Sequence, residues 1–239
     1  MLTKIKQVIQ TVKAMLALEK KTITMRGPTS TKYLYKYFTR PHPRYKVIPN
    51  KAFGVALIEL PSHFEKFLDG SSMRDMRNKR NRALRDGYEF RGIQSLDYQD
   101  DILEVNRSAE VRQGHEMPHD YMDSKVVLAY LRENPEFYAV FDRDGHLRAY
   151  MHVMLFGEIC VICRILGHME FVKDGIMYLM ISELVKKLVG ANPEVKYLMY
   201  DTVFGAAPGL RYFKDRSGFV PFRVKWIWQT TDNVGNPST

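Results

Sequence analysis

Apolar side chains recur at Leu2, Ile5, Val8, Ile9, Val12, Met15 and Leu16, with Lys4, Lys6, Lys13 and Lys20 mostly on the other side. That spacing predicts a basic amphipathic helix over residues 2–20. Gly27-Pro28-Thr29-Ser30 and Pro41-His42-Pro43 then break the chain twice, so residues 21–49 read as a loop-rich connector. Within it Tyr33, Tyr35 and Tyr37 alternate among Lys32, Lys36 and Arg40, the period of a half-buried strand or of aromatics set to stack on bases. Further on, the pattern predicts a strand at 53–60, a short helix at 62–68, a helix at 73–87, a strand at 88–93 and helices at 98–108 and 126–132. Asn134-Pro135 stops the last of these.

From residue 137 the pattern becomes regular. Strands at 137–141, 147–155 and 159–166 are joined by turns at Asp142-Arg143-Asp144-Gly145 and Phe156-Gly157, an antiparallel meander. Apolar residues at Ile176, Leu179, Met180, Leu184 and Leu188 predict a helix over 176–189, followed by a strand at 197–201. A short helix ending at Gly218-Phe219 and an aromatic strand at 224–228 complete the chain. The class is α+β, divided into an arm and connector (1–49) and one domain (50–239).

Composition adds two constraints. A formal charge of +9 and a pI near 9.4 favour polyanionic partners, though the same excess also serves solubility. Six of the cations, Arg74, Arg77, Lys79, Arg80, Arg82 and Arg85, crowd one helix and suggest a footprint on phosphate. Cys160 and Cys163 have the spacing of half a redox or zinc site, but without a second ligand pair they read as buried strand thiols in a reducing compartment. His115 and His119 are separated by Pro118, which argues against a helical metal pair, and no metal is expected. No apolar run reaches bilayer length and no secretory signal is evident, so the expectation is a cytoplasmic protein without a transmembrane segment. Residues 2–20 offer peripheral membrane contact as a further role.

The order meander, helix, strand, short helix, aromatic strand resembles the core of the N-acetyltransferase (GNAT) superfamily over about residues 50–228. Gly209-Leu210, Phe213-Lys214 and Gly218-Phe219, with the Arg-rich helix before Gly87-Tyr88, resemble its Fem-like branch. That branch includes aminoacyl-tRNA-dependent ligases of cell-wall peptides and acyltransferases of polysaccharide pathways. The resemblance implies a GNAT-like, mostly antiparallel central sheet flanked by helices, with an N-terminal amphipathic arm. It also implies that the strands at 159–166 and 197–201 splay apart to receive the donor, acetyl-CoA or another acyl-CoA, along the backbone of Ile162, Cys163 and Arg164. The donor's phosphates would meet Lys173, Gly175 and Ile176 at the next helix start, with Lys214 close by. Of the family's phosphate loop, Glu170-Phe171-Val172-Lys173-Asp174-Gly175 retains only Gly175 and Lys173, so charged tRNA stands as the alternative donor and partner.

Tyr212, Asp201 and Glu110 are the catalytic candidates, as leaving-group acid and bases. Arg112, Gln113, His115, Tyr121 and His168 are the acceptor-binding candidates, Arg112 supplying a fork for a carboxylate or phosphate. Three functions follow: acyl transfer from acyl-CoA to an amine or hydroxyl of a small-molecule, sugar or precursor acceptor; aminoacyl transfer from tRNA; or an inactive GNAT-like binding module.

Overall fold

Long apolar stretches in the second half of the chain become the central strands of one eight-stranded sheet. In a computed structural model of the protein, which describes residues 13, 15–43, 46–112 and 114–232, its order is β1-β10-β2-β9-β8-β7-β6-β3. The strands are β1 (Lys20–Gly27), β2 (Phe53–Glu59), β3 (Glu89–Gln94), β6 (Glu136–Phe141), β7 (Leu147–Phe156), β8 (Ile159–Gly167), β9 (Tyr197–Thr202) and β10 (Val220–Thr230). A separate hairpin pairs β4 (Val111–Arg112) with β5 (His115–Glu116). Neighbours in the sheet are antiparallel except β1 with β10 and β8 with β9. Among the described residues eight complete α-helices accompany them: α1 (Tyr33–Thr39), α2 (Phe64–Leu68), α3 (Arg74–Arg85), α4 (Gln99–Arg107), α5 (His119–Met122), α6 (Ser124–Glu133), α7 (Ile176–Ala191) and α8 (Pro208–Arg216).

One face of the sheet is covered by α7, which buries nine of its 16 residues. Leu179, Met180 and Leu184 pack on Cys160, Ile162, Ile165 and Leu198, and α3 adds Met76 and Ala83 to the same core. Each fully buried aliphatic side chain contributes on the order of 1.5–3 kcal/mol, so α7 is the element the sheet is built on. The opposite face carries two clusters. Ile102, Val105, Val127 and Leu131 of α4 and α6 pack on Phe137, Ala139 and Tyr150, while Phe38 of α1 packs on Val224 and Trp226 of β10.

Two elements depart from the sequence reading. The connector supplies an edge strand, β1, parallel to β10 from Lys20–Arg223 to Gly27–Thr230, so residues 20–27 belong to the sheet of the main body. Tyr33, Tyr35 and Tyr37 lie on helix α1 and not on a strand. Their alternation is incidental, because the inward residues are Leu34, Tyr35 and Phe38, a helical spacing, whereas Tyr33 and Tyr37, four apart, are exposed. Most of the predicted helix over 2–20, the proposed membrane contact, lies outside the described residues. No helix among the described residues is long and apolar enough to cross a membrane.

The Arg-rich helix is α3, and much of its charge is spent on the protein itself. Arg80 places Nε and Nη2 at 3.0 and 2.5 Å from Glu183, Arg77 donates to the carbonyls of Leu68 and Gly70, and Arg82 reaches Asp86 and Asp174. Lys79 lies over the Tyr178 ring. A phosphate footprint on this helix therefore has fewer free cations than the sequence implies.

Candidate active site

The parallel pair β8 and β9 is joined only at Ile159–Tyr197, Cys160–Leu198 and Val161–Met199. Beyond that point β8 stays with β7 as far as Ala149–Gly167, and β9 stays with β2 as far as Val55–Thr202. Each strand carries an irregularity just past the last shared pair. On β8, Ile162 faces Val153 and Arg164 faces His152, which leaves Cys163 as the extra residue of a bulge. On β9, Met199 faces Leu57 and Thr202 faces Val55, so Tyr200 and Asp201 stand against Ala56 alone. Asp201 is the only non-glycine with positive φ (49°) among the described residues, a strained conformation costing on the order of 1–3 kcal/mol. Bulges bend and twist their strands, and two at one level turn β8 and β9 away from each other. The edge of β8 from Ile162 onward thus has no β9 partner, the splay that the resemblance implies.

On the α7 side of this opening stands Lys214, only 1% exposed. Its Nζ donates to the Thr202 carbonyl at 2.8 Å, at the end of β9, and lies 4.5 Å from the centre of the Tyr200 ring. Burial pushes its pKa down to about 8; Asp201 opposes this shift and Lys51 adds to it. The local sequence explains the placement. Pro208 opens α8, Phe213 packs edge-on against Tyr178 of α7 at 5.2 Å, and Gly218 in the left-handed region closes the helix as Phe219 N–H returns to the Lys214 carbonyl at 2.9 Å. Asp201 is paired with Lys51 and more than half exposed.

Across the sheet, a second polar group surrounds the other lip. Arg164, 8% exposed, lies between two rings, its guanidinium 3.8 Å from the centre of Tyr130 and 4.6 Å from that of Tyr121. Its Nη2 is 3.2 Å from the Asp120 carboxylate. Buried Asn106 seats this group by accepting the Tyr150 hydroxyl and donating to the Tyr121 carbonyl at 2.8 Å.

His152 places Nδ1 2.6 Å from the Tyr130 hydroxyl oxygen, and burial, then Arg164, pushes its pKa down to about 4. As pH falls the unfolded chain therefore takes up this proton first. Stability is full above about pH 6.5 and declines towards pH 4, by about 3 kcal/mol from this one group. Denaturant midpoints at pH 7 and pH 4.5 are expected to differ less in His152→Gln than in the wild type.

Both cysteines are free, and burial pushes the Cys163 thiol up to about 12 and the Cys160 thiol higher still. Both are strand thiols that burial keeps protonated. Among the described residues no cluster of metal-ligating side chains occurs, and His119 is paired with Asp123.

Other candidates fall differently. Arg112 does not offer a fork, because its Nη1 donates to the Gly167 carbonyl at 2.8 Å and its Nη2 to the Val105 carbonyl at 3.1 Å and Ser108 Oγ at 2.8 Å. It clamps the end of β8 to α4. His168 rests on Phe171 with Nε2 3.8 Å from Glu104. His115 and Glu110 are exposed on and beside the β4–β5 hairpin, and Gln113 lies outside the described residues. Tyr212 is 56% exposed against Arg216, and none of its described contacts is with β8 or β9. Lys173 is exposed in the loop before α7; Gly175 and Ile176 begin that helix. Tyr130, His152 and Lys51 escaped the sequence reading. The signal for His152 was there, a lone ionisable residue inside the apolar strand run Tyr150-Met151-His152-Val153-Met154.

Part of the loop from β8 to α7 is already hydrogen-bonded. The N–H groups of His168, Met169, Phe171, Asp174 and Gly175 donate to Arg148 O, Ser108 Oγ, His168 O, Phe171 O and Val172 O. The Asp174 carboxylate holds the Tyr88 hydroxyl at 3.0 Å beside the helix start. The chain thus has an opening between β8 and β9 with a buried cation at one lip, and a carboxylate beside the start of α7.

No family model matches the sequence, and no curated protein matches it significantly. Among solved structures, FemX is similar over 71% of this chain and 59% of its own (TM-score 0.55, 12% identity). A Bacteroides thetaiotaomicron protein of unknown function matches over 71% and 56% (TM-score 0.55, 16% identity). The C-terminal DUF2156 domain of an Agrobacterium fabrum protein assigned as a lysylphosphatidylglycerol synthetase matches over 70% and 57% (TM-score 0.50, 16% identity). The match thus spans little more than half the length of each of these structures. At such identity the likeness is one of fold: this chain has the α+β, GNAT-like architecture.

Proposed function

We propose that the protein is an acyltransferase in which an activated acyl carbonyl enters the gap between β8 and β9 and is attacked directly by an amine or hydroxyl acceptor. The observation that carries this reading is the parting of the two strands after Val161 and Met199, with Lys214 buried at the mouth. Direct attack builds negative charge on the carbonyl oxygen. A desolvated ammonium, fixed by the Thr202 carbonyl, is suited to stabilise it, because such charge is worth most where water is excluded. Asp201, strained at the end of β9 and linked to Lys51, is assigned as the base that receives the acceptor's proton and returns it to the donor's departing oxygen or sulfur as the bond to the carbonyl carbon breaks. Tyr212 and Glu110 have no part in this scheme, since their described contacts do not bring them to the opening.

As donor we favour an aminoacyl ester of tRNA over acyl-CoA. The Asp174 carboxylate beside the start of α7 disfavours a pyrophosphate there, whereas a charge of +9 suits a large polyanion. The test is a side-by-side assay with charged tRNA and a panel of acyl-CoA thioesters, each with a mixture of amine acceptors. Acyl transfer from tRNA, weakening steeply with salt, is the expected result. Transfer from a thioester instead reverses the donor assignment, and transfer from neither sinks the transferase reading.

A further inference from the structure

We propose that Arg164 recognises a carboxylate on the acyl acceptor, and that Asp120 occupies that carboxylate's place until the acceptor arrives. The proposal rests on the transferase reading for the word acceptor, but its chemistry stands on the side chains alone. Three other guanidiniums near the core are tied at several points. Arg112 makes three hydrogen bonds to carbonyls and a hydroxyl, Arg80 gives two to Glu183, and Arg148 reaches Asp142 and Glu104. Arg164 is more deeply buried than any of these, yet among the described residues its guanidinium has one hydrogen bond, from Nη2 to Asp120 at 3.2 Å.

With one partner for its five N–H donors among the described residues, the fork has room for a planar acceptor with two oxygens. Tyr121 and Tyr130 hold the plane of the fork from two sides, so it is oriented before any ligand binds. Asp120 is exposed, belongs to a four-residue helix, and touches the fork at one point. It is placed to be displaced.

The position suits an acceptor and not a donor. Arg164 follows the bulge on β8, past the last pair shared with β9, and faces away from α7, whereas Lys214 stands on the α7 side of the same gap. The two reactants would then meet from opposite faces of the sheet. A carboxylate fits better than a phosphate. His152 beside the fork is neutral at pH 7, its pKa lying near 4, so one cation faces one nearby carboxylate, too little for a dianion. A molecule carrying this carboxylate and a nucleophilic amine is an amino acid or a peptide terminus.

The experiment is calorimetric titration of the intact protein with the amino acids, the matching amino-acid amides and inorganic phosphate, without any donor. At least one amino acid is expected to bind, its amide about 10- to 100-fold more weakly, and Arg164→Gln to lose a similar factor. Because a change at a buried arginine can unfold the protein, Asp120→Asn serves as the second variant. With its competitor for the fork removed, it is expected to bind the same amino acid several-fold more tightly while leaving affinity for the amide unchanged. A purely structural Asp120–Arg164 pair predicts no gain. Absence of binding by every amino acid, equal affinity for acid and amide, binding of phosphate in preference to carboxylate, or unaltered affinity in Asp120→Asn would each overturn the proposal. Carboxylate binding without transfer from any donor would leave this assignment standing and remove the transferase reading, while transfer without carboxylate discrimination would do the reverse.

Discussion

Lys214→Met is expected to lower acyl transfer by about 100-fold or more while the protein remains folded. The methionine stem fills much the same volume, and removing a buried cation relieves desolvation, partly offsetting the hydrogen bond lost at the Thr202 carbonyl. Stability measured by denaturant should therefore move by no more than about 1–2 kcal/mol in either direction. A loss of rate matched by an equal loss of folded protein would assign the lysine to structure alone. The pH profile separates the roles further. With its pKa near 8, the side chain acts as a cation below that value, so transfer should fall as pH rises through about 8. The stability sign is opposite. The folded state holds the proton less tightly than an unfolded lysine at 10.5, so between about pH 8 and 10.5 the unfolded chain binds more protons and the folded protein gains stability as pH rises. Both slopes should vanish in Lys214→Met.

The second large effect is expected at Gly175. Substitution by alanine should destabilise the protein by about 2–4 kcal/mol, a fall of about 5–15 °C in Tm for a chain of this size. Gly175 has φ of 90°, and a Cβ placed there would lie 2.5 Å from the Lys79 carbonyl oxygen on α3. A backbone atom in a helix cannot swing aside as a side chain can, so α3 would have to move off the start of α7. Scanning calorimetry measures this directly. A variant as stable as the wild type would mean that α3 and α7 do not meet so closely, and would reopen the helix start to a phosphate. The same contact explains why a glycine precedes this helix without any ligand.

The residues that betrayed the site in the sequence did so through local pattern. The meander turns at Asp142–Gly145 and Phe156–Gly157 and the apolar run Ile159–Cys163 that opens β8 announce a central strand, and α7 shows its helical period along its length. Phe213-Lys214 and Gly218-Phe219 likewise mark the closing segment, because capping and aromatic packing act over a few residues. Arg112 was misread for the opposite reason. Its fork is spent on two carbonyls and a hydroxyl 4 to 55 positions away, Val105, Gly167 and Ser108, and nothing in the local pattern signals it. Tyr33 to Tyr37 misled because a chance alternation of aromatics outweighed the helical set Leu34, Tyr35 and Phe38, which is visible only when Trp226 and Trp228 are beside it.

From its order of apolar and polar residues alone, the chain specifies an α+β body whose elements follow one another as a GNAT-like core requires, since strand and helix periods are properties of neighbouring residues. Tertiary structure decided the rest: that β8 and β9 separate after three pairs, that Lys214 lies dry against Thr202, that Arg164 and not Arg112 retains an open fork, and that residues 20–27 join the sheet. Each of these depends on register, burial and competition for hydrogen-bond partners between segments tens to hundreds of residues apart, which no window of sequence contains.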